Sequence, residues 1–218
     1  MKDRIYYIIG GASIIALIVY LKLSGQQKQK NKNNNVLFIG DSITDIEFKS
    51  QPTGTYPLKI RKDRPDLVVD VHAEGGKTTG WMLTNLPPYL TKPYSKVFIY
   101  GGVNDAFSDN IKLDTAVANV QKMVDLAVAN GAKAYVIMGY EPNGFMDYRK
   151  MPTTRYVTSK QGYIPLIERY KQFQSLIQSR IKGATIIPKF DLTGMTNDGT
   201  HPTGTGQKQI AETIKKYL

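Results

Sequence analysis

Five short apolar runs, at 36–40, 67–72, 96–100, 133–138 and 184–188, alternate with longer amphipathic stretches from Val36 to the end of the chain. Runs apolar at nearly every position suit strands buried on both faces. Strands separated by helices are expected to lie parallel, because each helix carries the chain from the carboxyl edge of the sheet back to the amino edge before the next strand starts. The spacer 114–130 shows the helical pattern: Asp114 stands where a cap would, Gly131 follows the end, and Ala116, Val117, Val120, Met123, Val124 and Ala127 form one stripe. A closing helix, Thr205–Tyr217, brings Ile210, Ile214 and Leu218 to one side. The expected class is therefore α/β, a three-layer α/β/α sandwich over residues 36–218. That length suffices for one domain with a real core, and no internal repeat is present.

Three of the runs end in residues that carry chemistry. Val36-Leu37-Phe38-Ile39-Gly40-Asp41-Ser42 is a strand running into a tight turn, which would lift a hydroxyl at the carboxyl edge of the sheet, where α/β folds place their sites. A serine hydroxyl is a poor nucleophile until an imidazole takes its proton. The chain has two histidines. His201 stands in Asp198-Gly-Thr-His201-Pro202, where Asp198 could accept from Nδ1, fix the tautomer and leave Nε2 to face Ser42. Lys96–Tyr100 leads into Gly101-Gly102-Val103-Asn104-Asp105, and Val69–Ala73 into Glu74-Gly75-Gly76. An acyl-transfer intermediate needs two or three preorganised donors for its oxyanion. The Ser42 and Gly76 backbone N–H groups and the Asn104 amide could supply them. Taken singly, each fragment also reads as an ordinary turn: Gly-Asp-Ser as a loop, Asp198–Pro202 as the lead into the last helix, Asn104 as a cap on its own turn.

Taken in order, the four blocks resemble the SGNH (GDSL-type) hydrolase family, over roughly residues 36–218. Ile43 follows Gly-Asp-Ser where the commoner form has Leu, a conservative change. The resemblance implies a nucleophile at Ser42, oxyanion donors at Ser42, Gly76 and Asn104, and Asp198 with His201 completing the triad. It also implies a flavodoxin-like five-stranded sheet in the order 2-1-3-4-5. His72 has no carboxylate at suggestive spacing and reads as a strand-end residue. Gly76-Lys77-Thr78 looks like the end of a phosphate-binding loop, but position 71 is Val where that motif needs Gly.

Composition narrows the chemistry. Without cysteine there is no disulfide framework, thiolate metal site or lipoprotein anchor, and with two histidines a zinc centre is not expected, so neither metal nor cofactor is assigned. The net charge of +11 is uneven: residues 1–35 hold 6 of the 29 Lys/Arg and 1 of the 18 acids. No basic run carries interleaved aromatics, so an anionic surface rather than nucleic acid is the expected attractor.

Ile5–Leu21 is uncharged, with Lys2 and Arg4 before it and Lys22 after. As a helix it would span roughly 26 Å, near the hydrocarbon thickness of a bilayer, and Tyr6, Tyr7 and Tyr20 sit near its ends. Residues 1–23 are thus expected to be one transmembrane helix, with a cleaved signal peptide as the other reading. Leu21-Lys22-Leu23-Ser24 makes a poor cleavage site. Residues 24–35, Gln/Asn/Lys-rich and without an apolar side chain before the strand, read as a flexible tether. Charge flanks both ends and does not set orientation; the catalytic domain is expected on the extracytoplasmic side.

The longest irregular stretch, Gly139–Gly162, carries Tyr140, Phe145, Met146, Tyr148 and Tyr156 with Arg149, Lys150, Arg155 and Lys160. It leaves the carboxyl end of a strand, so it is expected either to overhang the site or to close a cluster of its own. The functional expectation is a serine esterase acting on a carbohydrate or lipid ester at a membrane surface. An O-acyltransferase with the same triad and an inactive membrane-tethered binding protein are the alternatives.

Overall fold

The computed structural model describes residues 34–48, 54–108, 110–140, 160–197 and 200–218, and over 160–166 the helix backbone only. The expected membrane span at 5–21 and most of the 139–162 stretch lie outside these residues. Among the described residues no helix is long and apolar enough to cross a membrane.

β1 (Asn35–Gly40), β2 (Val68–Ala73), β3 (Lys96–Tyr100), β4 (Lys133–Ile137) and β5 (Ala184–Ile187) form one parallel five-stranded sheet in the order β2-β1-β3-β4-β5. The helices are α1 (Tyr56–Asp63), α2 (Thr79–Asn85), the short α3 (Val103–Ala106), α4 (Leu113–Ala129), α5 (Lys160–Arg180) and α6 (Gly204–Lys215). The step from β1 to β2 runs one way along the sheet and every later step runs the other. With right-handed crossovers, that reversal puts α1 on one face and α2, α4 and α5 on the opposite face. The packing agrees: α1 lies against α6, while α4 packs against both α2 and α5. The reversal also opens a crevice beyond the carboxyl ends of β1 and β3.

Side-chain alternation assigns a core to each face. Phe38, Phe98 and Tyr135 stand in register on adjacent strands and stack in a row, with centroids 4.8 Å and 4.6 Å apart. Tyr56 of α1 meets Phe38 edge-on at 5.4 Å, and Tyr217 meets Tyr135 at 6.0 Å. On the opposite face Ile99 shares a small cavity with Val120 of α4 and Phe173 and Ile177 of α5.

α4 buries the whole expected stripe. Its capping differs from expectation. The helix starts at Leu113 after Lys112, with no side-chain cap, and Asp114 falls inside the first turn. There its charge suits the positive end of the helix, and its carboxylate accepts from Arg180 Nη1 at 2.5 Å instead of bonding the helix amides. The other end is a Schellman closure: Gly131 at φ +88° donates to Val128 O at 2.9 Å, and Ala132 to Ala127 O at 3.0 Å.

One boundary of the 139–162 stretch is corrected: Lys160–Gly162 already belong to α5. Tyr140 is fully buried, bridged to Phe190 and packed on Tyr170 at 5.3 Å, so of the two expectations its ring fits a packed cluster rather than an overhang.

Phe98 sits at the middle of the aromatic row with no exposure. Phe98→Ala should cost about 3–5 kcal/mol of unfolding free energy, read as a lower urea midpoint at an unchanged denaturant slope.

Candidate active site

The chain leaves β1 at a position that tolerates no side chain. A Cβ on Gly40 would stand 2.3 Å from Thr44 Oγ1 and 2.8 Å from Tyr100 O. The turn beyond it is closed by Thr44 and Asp45 N–H groups donating to Asp41 O at 3.0 and 2.9 Å. Asp41 Oδ1 accepts from Ile43 N at 3.1 Å, and Ile43 is itself completely buried. Gln207 of α6 then ties the turn down, donating to Ile43 O at 3.2 Å and accepting from Tyr56 N at 2.8 Å. Thr44 Oγ1 meets Tyr56 OH at 3.1 Å, and Thr55 donates to Thr44 O at 3.3 Å. Ser42 is held in this braced turn, buried but for 5 % exposure.

His201 comes to it from the other end of the sequence. Ser42 Oγ lies 3.0 Å from His201 Nε2. The His201 loop is braced by Asn197 N–H donating to His201 O at 2.9 Å, by Thr203 N–H donating to Met195 O at 2.7 Å, and by a bridge between Thr196 and Pro202. Thr203 also caps α6, accepting from Gly206 N. Asp198, the expected orienting carboxylate, lies outside the described residues.

The two glycine turns meet at the same edge. After β3, Gly102 at φ +105° turns the chain into α3, and a Cβ there would strike the Phe173 ring at 2.2 Å. α3 carries Asn104, whose Nδ2 donates to Lys77 O at 2.9 Å. Lys77 directly follows Gly76, so Asn104 is brought to the turn after β2; the amide keeps a second N–H for another acceptor. Gly76, at φ +76°, has open space around it, and neither its N–H nor that of Ser42 bonds any described residue. A Cβ on the neighbouring Gly75 would lie 3.8 Å from Ser42 Cβ. Four of the five expected site residues, Ser42, Gly76, Asn104 and His201, are thus gathered at the crevice beyond β1 and β3.

Sequence reasoning missed the groups that hold these turns together. Asp105 is buried and accepts from Thr79 N at 2.9 Å and Thr79 Oγ1 at 2.6 Å. Burial raises its pKa, and the Thr79 bonds pull the other way. Asp45 Oδ2 accepts from Gly75 N at 3.1 Å. The available signal was modest: the Asp that ends Gly102-Val103-Asn104-Asp105 and another acid, Asp45, just after the Ser42 turn.

His72 stands apart from the site. It is stacked between Trp81 at 4.8 Å and Tyr89 at 4.1 Å, and burial lowers its pKa. Lys77 pairs with Glu74 at 2.9 Å and lies 5.5 Å from the Trp81 ring centroid. Among the described residues no cluster of three or more His, Cys, Asp or Glu is arranged to hold a metal ion.

Asp41 is the electrostatic oddity of the site. It is fully buried, and its Oδ2 has no hydrogen-bond partner. Loss of hydration pushes the carboxyl up to about 7, against the lowering effects of the Ile43 N–H and of nearby His201. The fold therefore favours the protonated form. That contribution to stability is complete below about pH 4 and is lost as pH rises to about 7. Asp41→Asn should then match the parent's stability near pH 4 and exceed it at pH 8, by up to about 4 kcal/mol. Thermal unfolding of both proteins across pH 4–8 checks this; a gap that does not vary with pH would contradict it.

The GDSL-like lipase/acylhydrolase family model matches residues 38–209. Among solved structures, TesA is 20 % identical with a TM-score of 0.61, covering 84 % of this chain and 97 % of its own. The psychrotrophic esterase EstA from Pseudoalteromonas sp., in a structure inhibited by monoethylphosphonate, is 20 % identical with a TM-score of 0.56, covering 85 % and 99 %. The acetyl xylan esterase AlAXEase is 14 % identical with a TM-score of 0.60, covering 84 % and 99 %. At these identities the likeness is one of fold. No curated protein matches the sequence.

Proposed function

This chain belongs to the GDSL-like lipase/acylhydrolase family and is an ester hydrolase, and on that premise we propose that Ser42 attacks the ester carbonyl with His201 as its base. The observation that carries the reading is the 3.0 Å approach of Ser42 Oγ to His201 Nε2. Nε2 accepts the hydroxyl proton as Oγ bonds to the carbonyl carbon, and the carbonyl electrons move onto oxygen. The Ser42 and Gly76 N–H groups and the Asn104 amide stabilise that oxyanion. The intermediate collapses with expulsion of the alkoxide, which takes the proton from His201. Water, deprotonated by the same imidazole, then releases the acid and restores Ser42. Asp198 holds the imidazole in the tautomer with its proton on Nδ1.

The substrate proposed is an O-acyl ester of a carbohydrate or lipid at a membrane surface. An acetyl xylan esterase and a phosphonate-inhibited esterase of this fold support the ester chemistry, and the apolar, basic-flanked amino terminus supports the location. With p-nitrophenyl acetate, Ser42→Ala should lower turnover by roughly four to six orders of magnitude and abolish labelling by a fluorophosphonate. Asn104→Ala should cost about two to three orders. Near-parental turnover in folded Ser42→Ala protein would overturn the reading.

Residues 1–23 are proposed as the anchor and 24–35 as the tether. The full-length chain should sediment with membranes and stay there in 1 M salt (about 3 Å of screening length), because an apolar span is not screened by ions. A chain beginning at Asn33 should be soluble and keep its turnover on p-nitrophenyl acetate. Release of the full-length protein by salt alone would show peripheral attachment.

A further inference from the structure

The segment after the nucleophile turn folds back over the site. Asp45 accepts from Glu47 N at 2.9 Å through Oδ1 and from Gly75 N at 3.1 Å through Oδ2, so one carboxylate joins this strap to the oxyanion turn. Phe48, three residues on, lays its ring against the His201 imidazole, with centroids 4.8 Å apart and planes inclined by 36°. The ring edge stands 2.8 and 2.9 Å from where a Cβ on Gly75 would be, and that same point is 3.8 Å from Ser42 Cβ. Glycine at 75 is what leaves room for the ring. Phe48 is only partly buried, so core packing does not account for an aromatic side chain there.

The carbon attacked by Ser42 carries four groups. The serine oxygen, the oxyanion and the leaving oxygen point to Ser42, to Gly76 with Asn104, and to His201. The acyl substituent must use what space remains, and a ring reaching from His201 to Gly75 past Ser42 takes much of it. We propose that Phe48 is a specificity-determining residue that closes the site to long acyl chains, so that the natural ester carries a short acyl group such as acetyl. The inference rests on Ser42 being the nucleophile.

The test measures kcat/KM on p-nitrophenyl acetate, butanoate and hexanoate for the parent, Phe48→Ala, Phe48→Leu and Ser42→Ala. The parent should favour acetate. Phe48→Ala should raise the hexanoate-to-acetate ratio by about 10- to 100-fold, the scale of one well-accommodated methylene among the four by which hexanoyl exceeds acetyl, mainly through a lower KM for hexanoate. Phe48→Leu should fall between, and it carries the test if the alanine variant does not fold. A parent that already prefers hexanoate, or a ratio unchanged to within twofold in both variants, overturns the proposal; so does a uniform loss on all three esters, which would mean that Phe48 only steadies His201. Failure of the nucleophile reading is separate, because it would appear as turnover retained in Ser42→Ala whatever the chain-length ratio.

Discussion

The site depends on the absence of a side chain at Gly40. Thr44 Oγ1 and Tyr100 O occupy the space that a Cβ would need, so any other residue would drive β1 away from β3 or open the turn. Because that space is filled, the chain reverses within Asp41–Thr44 and presents Ser42 at the place where the connections leaving adjacent strands β1 and β3 go to opposite faces of the sheet. The turn is also the meeting point of α1 and α6. Gln207 of α6 and Tyr56 of α1 both bond it, and both are fully buried. A polar side chain in such a position is held by every bond it makes, since an unmet donor or acceptor there costs about 1–3 kcal/mol.

A second constraint is electrostatic. Two carboxyls, Asp41 and Asp105, are buried at neighbouring strand ends, and the charge of Asp105 adds to the cost of ionising Asp41. They differ in support. Asp105 receives a hydroxyl and an amide from Thr79, whereas Asp41 receives one amide and leaves an oxygen unmatched. The difference follows from position. Asp105 bridges α3 to α2 and can recruit a helix N-terminus, while Asp41 lies inside the turn and meets mainly apolar and phenolic neighbours. Burial thus weakens the negative charge that Asp41 would otherwise hold near His201.

Much of the framework was legible because it repeats. The five strands lie within a residue or two of the apolar runs, since a strand covered on both faces needs apolar side chains at consecutive positions. The α4 stripe was legible from helical spacing. The gathering of Ser42, Gly76, Asn104 and His201 at one edge of the sheet was legible because each stands in a connection that follows a strand. The ties between the turns have no such period. Asp45 meets Gly75 from 30 residues away, Thr79 meets Asp105 from 26, and Gln207 meets Tyr56 from 151. In sequence each is a polar residue in a loop or on a helix, indistinguishable from a solvated one. Asp114 misled for a related reason: its side chain had a choice between the helix amides and Arg180, and only the packing of α4 on α5 decides it.

The sheet's polarity also limits how the domain, if tethered as proposed, can reach its ester. The proposed tether would join at Asn35, the amino end of β1, and Leu218 is held at the same edge, where Lys96 Nζ donates to Leu218 O. Ser42 lies beyond the other end of that strand. Six residues at about 3.3 Å each place it roughly 20 Å farther along. Parallel strands put the turns that carry Ser42, Gly76 and Asn104 at this far edge, and no change of loop sequence can move them to the edge where β1 begins. With the amino-terminal segment in a bilayer, as proposed, an upright domain would hold Ser42 away from the membrane plane. An ester on a polymer or sugar above the surface could then reach the site directly. One lying among the lipid headgroups could do so only if the 24–35 tether let the domain tip over.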